Sequence, residues 1–145
     1  MTITQYHDAW ALDAPLKQDD LDNASMTVPV LHAKWWRFYT AERHLFRKLT
    51  AAHHLLKRQR HEWFSGKLLD DERLALGWEP NPKLIRLPAD LTRHMDADDL
   101  MNESLLKLGV QEDILKFIES VIASVNKRGY DIKNAIDFLR FKMGQ

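Results

Sequence analysis

Three cations and two large aromatic rings crowd into the twelve residues Leu55–Gly66, LLKRQRHEWFSG. Lys57, Arg58 and Arg60 can neutralise phosphate oxygens. Trp63 and Phe64 can stack unpaired bases, each stack contributing about 1–3 kcal/mol. Types and spacing of this kind suit an anionic, ring-bearing ligand such as a single nucleic-acid strand.

The chain as a whole is neutral, with 21 Lys or Arg and 21 Asp or Glu among 145 residues. Its charge is nonetheless segregated. Residues 32–67 carry nine basic side chains against Glu42 and Glu62, a local +7, whereas residues 1–31 are net −4 and residues 68–145 net −3. Few acids stand four residues away to neutralise the cations. Phosphate contacts there would make binding strongly salt-dependent and nearly indifferent to base sequence.

No enzyme chemistry is spelled out. The chain lacks the glycine-rich phosphate loops GxxxxGK[ST] and GxGxxG and the GxSxG elbow, and His61-Glu62 has no second His at zinc-protease spacing. His53 and His54 point about 100° apart on a helix, and His54 and His61 are two turns apart, so neither pair chelates one ion. There is no cysteine, hence no disulfide or thiolate, as suits a reducing interior. No apolar run approaches the ~20 residues that span a bilayer. MTITQYHDAW lacks the basic-then-apolar pattern of a signal peptide. The sequence predicts a cytoplasmic, non-enzymatic protein with no cofactor, no metal and no membrane partner.

The elements that must position the cations are helical. From Val30 to Phe64 there is neither Gly nor Pro. Leu31, Phe38, Leu45 and Ala52 hold one position of a seven-residue register, and Trp35, Leu49, Leu56 and Trp63 hold the other. One helix of about 35 residues, ~50 Å long, follows, with Gly66 as its stop. A seam this long exceeds a small core and asks for partner helices, as in a coiled coil. Leu31, Trp35, Phe38, Leu45, Leu49 and Leu56 are the expected oligomer seam. Arg43, Arg47, Lys48, Lys57 and Arg58, with His44, His54 and His61, spread over the opposite half, and Arg60 lies near the seam's edge. Trp35, Phe38 and Trp63 fall on the seam and are expected to pack. Trp36, Tyr39, Phe46 and Phe64 lie off its centre, where stacking on a base is open to them.

The remaining segments read as follows. Residues 1–28 form an acidic arm, residues 29–66 the long basic helix, residues 67–110 a connecting region, and residues 111–145 a helical hairpin. In the connecting region KLIRL suits a short extended piece, and MDADDLMNESLLKLG a short helix ending at Gly109. In the hairpin, Ile114, Ile118, Val121 and Val125 mark one helix, stopped at Asn126–Gly129. Asp131 caps a second helix, marked by Ile132, Ile136, Leu139 and Met143. The predicted class is all-α: a long amphipathic helix plus a C-terminal hairpin, with helices assembling into an oligomeric ring or barrel.

The stretch AKWWRFYTAERHLFRKLTAAHHLLKRQRHEWFSG resembles the long-helix region of phage recombination mediators of the UvsY type. That family has a KW near the helix start, matched by Lys34-Trp35, and a terminal motif L-K-A-R-L-D-Y-Y-S-G. Aligned on Ser65-Gly66, the motif's Lys falls on Arg58, its Arg on Arg60, its acid on Glu62 and its tyrosine pair on Trp63-Phe64. The ending VNKRGYDIKNAIDFLRFKMG is similar through Arg128, Gly129, Tyr130, Ile132, Lys133, Phe141 and Gly144. The resemblance implies a homo-oligomeric ring of six or seven subunits. It also implies that the ring holds single-stranded DNA and loads a RecA-like recombinase onto strands coated by a single-strand-binding protein. Arg58 and Arg60 become the expected main phosphate contacts, supported by Lys57, Arg47 and Lys67, with Phe64 stacking a base and Trp63 stacking or packing. The residues alone leave open a helical scaffold that docks an acidic protein partner on the basic face. Residues 8–22 are acidic enough to compete for that face.

Overall fold

The computed structural model describes residues 1–144. Every regular element among them is helical: α1 Ile3–Asp13, α2 Leu21–Ser65, α3 Asp70–Leu76, α4 Pro88–Asp96 and α5 Asp99–Lys142. The chain divides into two compact units, residues 1–44 with 111 onward, and residues 45–110. The first half of α2 belongs to the first unit and the second half to the second.

In the first unit, α1 is fixed at its start by a capping box. Thr2 Oγ1 accepts the Gln5 N–H at 3.2 Å, and Gln5 Oε1 accepts the Thr2 N–H at 2.7 Å. Ile3, Tyr6 and Trp10 then recur at helical spacing, and Tyr6 is buried in the core. The acidic arm expected over residues 1–28 is therefore corrected. Its first part is a docked helix, and residues 21–28 are the opening turns of α2. The Asp20 carbonyl accepts the Ala24 N–H at 3.0 Å and starts that helix. Leu21 is buried and Val28 packs on the core, which explains why α2 begins ahead of Pro29 despite the N–H the proline lacks.

Trp35 is the centre of this core. It is fully buried and meets Trp10 and Phe38 edge-on, at ring separations of 5.8 and 5.2 Å. Its indole N–H donates to Asp13 Oδ2 at 3.0 Å, and Lys34 Nζ reaches the same oxygen at 2.7 Å. α5 supplies Ile114, Ile118, Val121, Ile122 and Val125. Leu31 and Phe38 pack against this cluster. The first half of the seam, assigned to sister chains, thus serves the chain's own core.

α5 is one helix of 44 residues. The expected stop at Gly109, the hairpin turn at Asn126–Gly129 and the cap at Asp131 are all corrected. The reason lies in the register. The buried positions Ile114, Ile118, Val121, Val125, Arg128 and Ile132 step by four, three, four, three and four without interruption. Arg128 fills what looked like a gap. Its Nη1 and Nη2 donate to the carbonyls of Ala14 and Pro15 at 3.0 and 3.2 Å, so a cation occupies a core position without a carboxylate. Positive φ occurs only at Gly66, Gly77 and Gly144 among the described residues, so Gly109 and Gly129 stay helical.

The second unit has a smaller core. Phe64, Met95 and Met101 are buried, with Leu56, Trp63, Ile85 and Leu91 packed around them. Gly66, at φ 78°, ends α2, and a Cβ there would come within 2.8 Å of Leu84. The following chain turns back, and the Ile85 N–H donates to the Phe64 carbonyl at 3.0 Å. KLIRL makes this contact as an irregular segment, not a strand. Asp98 opens α5, its Oδ2 accepting the Met101 N–H at 3.2 Å. Leu45 and Leu49 of α2, with Leu106 and Val110 of α5, line an open apolar groove of about 430 Å³.

Candidate nucleic-acid interface

The second half of α2 presents the cations. Arg47, His54, Arg58 and His61 follow one another at seven, four and three residues, the spacing of a single helix face. All four are exposed. At 1.5 Å per residue the strip is ~21 Å long. Lys48 and Lys57 flank it, and Lys67 follows just past Gly66; these too are exposed. Among the described residues, no carboxylate lies within 4 Å of Arg47, Lys48, Lys57 or Lys67.

Arg58 is partly engaged. Its Nη1 donates to Glu62 Oε2 and its Nη2 to Glu72 Oε1, both at 2.7 Å. The Glu72 hydrogen bond, assisted by the charge of Glu62, holds the guanidinium proton more tightly than usual. The Arg58 hydrogen bond, and then that from Gln59, lower the Glu72 carboxyl in turn. A phosphate arriving here competes with two carboxylates in water, where such pairs are weak.

Arg60 is corrected outright as a phosphate contact. It is only 8% exposed, and its Nε and Nη2 donate to Asp98 Oδ2 and Oδ1 at 3.0 and 2.7 Å. Its guanidinium carbon sits 4.3, 5.1 and 4.8 Å from the ring centres of Trp63, Phe64 and Trp78. Bidentate pairing and three aromatic faces leave it no route to a ligand. Phe64 is corrected with it, since its ring is buried in the same cluster. Trp63 packs there too, its Nε1–H donating to the Glu79 carbonyl at 2.7 Å. The stretch that suggested the chemistry therefore splits. Lys57 and Arg58 face water; Arg60, Trp63 and Phe64 build the platform beneath them.

Asp98, Glu72 and Trp78 were missed by sequence reasoning. Asp98 is 38 residues from Arg60, and no local pattern joins them. The one signal was the position of Arg60 near the seam's edge. His53 faces inward on α2, its Nδ1 at 2.9 Å from Ser104 Oγ. Burial, then the charges of His54 and Lys57, push its pKa below the usual histidine range.

The family described as "Recombination, repair and ssDNA binding protein UvsY" matches residues 9–145 of the chain. Two crystal structures of the bacteriophage T4 recombination mediator protein UvsY have the same fold. One, at 15% identity and TM-score 0.80, covers 97% of this chain and 99% of its own. The other, at 14% identity and TM-score 0.80, covers 99% and 98%. Among curated proteins, none matches the sequence.

Proposed function

We propose a function from the premise that the chain belongs to the UvsY family of recombination, repair and single-stranded-DNA-binding proteins. The protein is a recombination mediator. It holds single-stranded DNA on the exposed strip of Arg47, Lys57 and Arg58, with Lys67 at its end. It delivers that strand to a RecA-like recombinase in place of a single-strand-binding protein. The observation that carries this reading is an exposed strip of cations in a member of this family, in which Arg47, Lys57 and Lys67 have no carboxylate partner and Arg58 has only partly exposed ones. Contacts of this kind track the backbone and leave the bases unread, as a loader serving any sequence needs.

The protein works as a homo-oligomer. Leu45 and Leu49, the part of the heptad seam not covered within their own unit, join Leu106 and Val110 in an apolar groove suited to a helix from a second copy. A head-to-tail contact repeated around an axis closes a ring. Each copy then adds one weak strip, and linked sites raise affinity by about 10²–10⁴ without new contacts. The place of action is the cytoplasm.

The test is assembly of a RecA-like recombinase on single-stranded DNA pre-coated with single-strand-binding protein. Added full-length protein shortens the lag before filament growth. An unchanged lag, with the protein at concentrations that bind the bare strand, rejects the loading role.

A further inference from the structure

Phe64 is buried and Trp63 is packed beside it, so the two rings expected to stack a base at the end of α2 are committed to the second unit's core. The first unit has another set, of which His32 and Trp36 are exposed and Tyr39 is half-buried. His32, Trp36 and Tyr39 recur along α2 at four and three residues. Their rings are nearly parallel: 12° between His32 and Trp36 at a centroid distance of 6.1 Å, and 18° between Trp36 and Tyr39 at 5.1 Å. Trp36 is 50% exposed, while its neighbour Trp35 is fully buried. The ladder is anchored at one end. The Tyr39 hydroxyl donates to Glu119 Oε1 of α5 at 3.1 Å and accepts from Arg43 Nη1 at 3.3 Å. The Arg43 guanidinium carbon is 5.8 Å from the Tyr39 ring centre. A ring fixed in this way loses little freedom when a ligand arrives.

We propose that His32, Trp36 and Tyr39 form a stacking platform for unpaired nucleobases, with Arg43 taking an adjoining phosphate. The occupant follows from the surroundings. Thr40 and Arg43, beside the rings, are polar or cationic and exposed. Among the described residues, Arg43 has no carboxylate within 4 Å. An aromatic face beside a guanidinium that has no carboxylate partner complements a strand whose bases are apolar and whose backbone is anionic. The proposal rests on the reading of this chain as a single-strand binder, and adds a base-dependent part to a contact otherwise made to phosphate.

The experiment measures binding of the full chain to oligo(dT) and to an abasic strand of equal length, over a salt series, with assembly mass followed by sedimentation. Wild type prefers oligo(dT). Trp36→Ala weakens oligo(dT) binding about tenfold, leaves abasic binding and the salt slope in place, and keeps its assembly mass. Trp36→Phe retains most of the preference. A Trp36→Ala protein that keeps the full preference for oligo(dT) overturns the platform. A changed assembly mass with the preference intact overturns it too, and assigns the ladder to contacts between copies. Wild type that binds neither strand rejects the parent reading, a different outcome from either. A strand bearing 5-iodouracil, photolysed on the wild-type protein, gives a check free of folding effects. Adducts at Trp36 or Tyr39 are expected, and adducts confined to other residues contradict the assignment.

Discussion

The first unit buries Tyr6, Trp35, Ile114, Ile118, Val121, Ile122 and Val125 in one aromatic and aliphatic cluster. The second buries Phe64, Met95 and Met101 beside an ion pair, Arg60–Asp98, ringed by three aromatic side chains. α2 runs through both, yet its apolar stripe is covered in one and partly open in the other. The contrast separates two uses of a cation on one helix. Arg60 is drawn inside to orient the start of α5 and the turns after α2, and its neighbours Lys57 and Arg58 stay outside. Bringing a pair inside sacrifices hydration, so Arg60–Asp98 serves geometry more than net stability, whereas the first unit, although it also holds Glu42 and Arg128 inside, draws its stability mainly from its larger apolar cluster.

The contrast can be broken most forcefully at Trp35. Trp35→Ala removes the central ring of the first unit and should cost about 3–5 kcal/mol in urea unfolding. Asp98→Ala should cost about as much, ~3–5 kcal/mol, by leaving Arg60 buried without its partner. The remedies differ, however. The double change Arg60→Met with Asp98→Leu should recover most of the loss, since apolar groups need no pairing. A double variant as unstable as Asp98→Ala would mean that the pair supplies net stability, and would erase the distinction between the units.

A smaller effect sharpens the comparison through pH. Burial, then the hydrogen bond to Glu42 Oε1 at 2.7 Å, pushes the Tyr6 phenol above its ordinary value near 10. A raised folded value means that this contribution is fully present below about pH 10 and is lost as pH rises beyond it. Tyr6→Phe should therefore flatten the alkaline side of the melting-temperature profile. The smallest effect belongs to His53 in the second unit. Its folded value is lowered, so its contribution is present above about pH 6.5 and fades as pH falls through the folded value. His53→Gln should flatten only that acid limb, measured by thermal melts between pH 5 and 7.

What could be read from the sequence was what repeats. The apolar register along α2 announced a long helix, and the segregation of cations announced its basic face. The family resemblance followed from short motifs: Lys34-Trp35, the end of α2 at Ser65-Gly66, and the last part of α5 from Arg128. Errors arose where local punctuation opposed a longer register. Gly129 looked like a stop, although Val125, Arg128 and Ile132 keep an unbroken spacing; reading Arg128 as polar hid the continuity. Ile3, Tyr6 and Trp10 were too sparse to signal α1 beside so many acids. The burial of Arg60 depends on Asp98, brought near only by the turn after Gly66 and by α4, and no pairwise spacing in the chain encodes that. Because Arg60 and Arg58 are chemically alike and two residues apart, only the fold distinguishes the clamp from the ligand contact.

The division of labour among these cations has one direct test: the salt dependence of oligo(dT) binding by wild type, Arg47→Ala/Lys57→Ala and Arg60→Met. Each phosphate contact on a single strand contributes about 0.7 to the logarithmic slope. The Arg47→Ala/Lys57→Ala protein should show a slope shallower by about 1.4, while a folded Arg60→Met protein keeps the wild-type slope. An unchanged slope in the double variant, or a shallower one in Arg60→Met, would contradict the account.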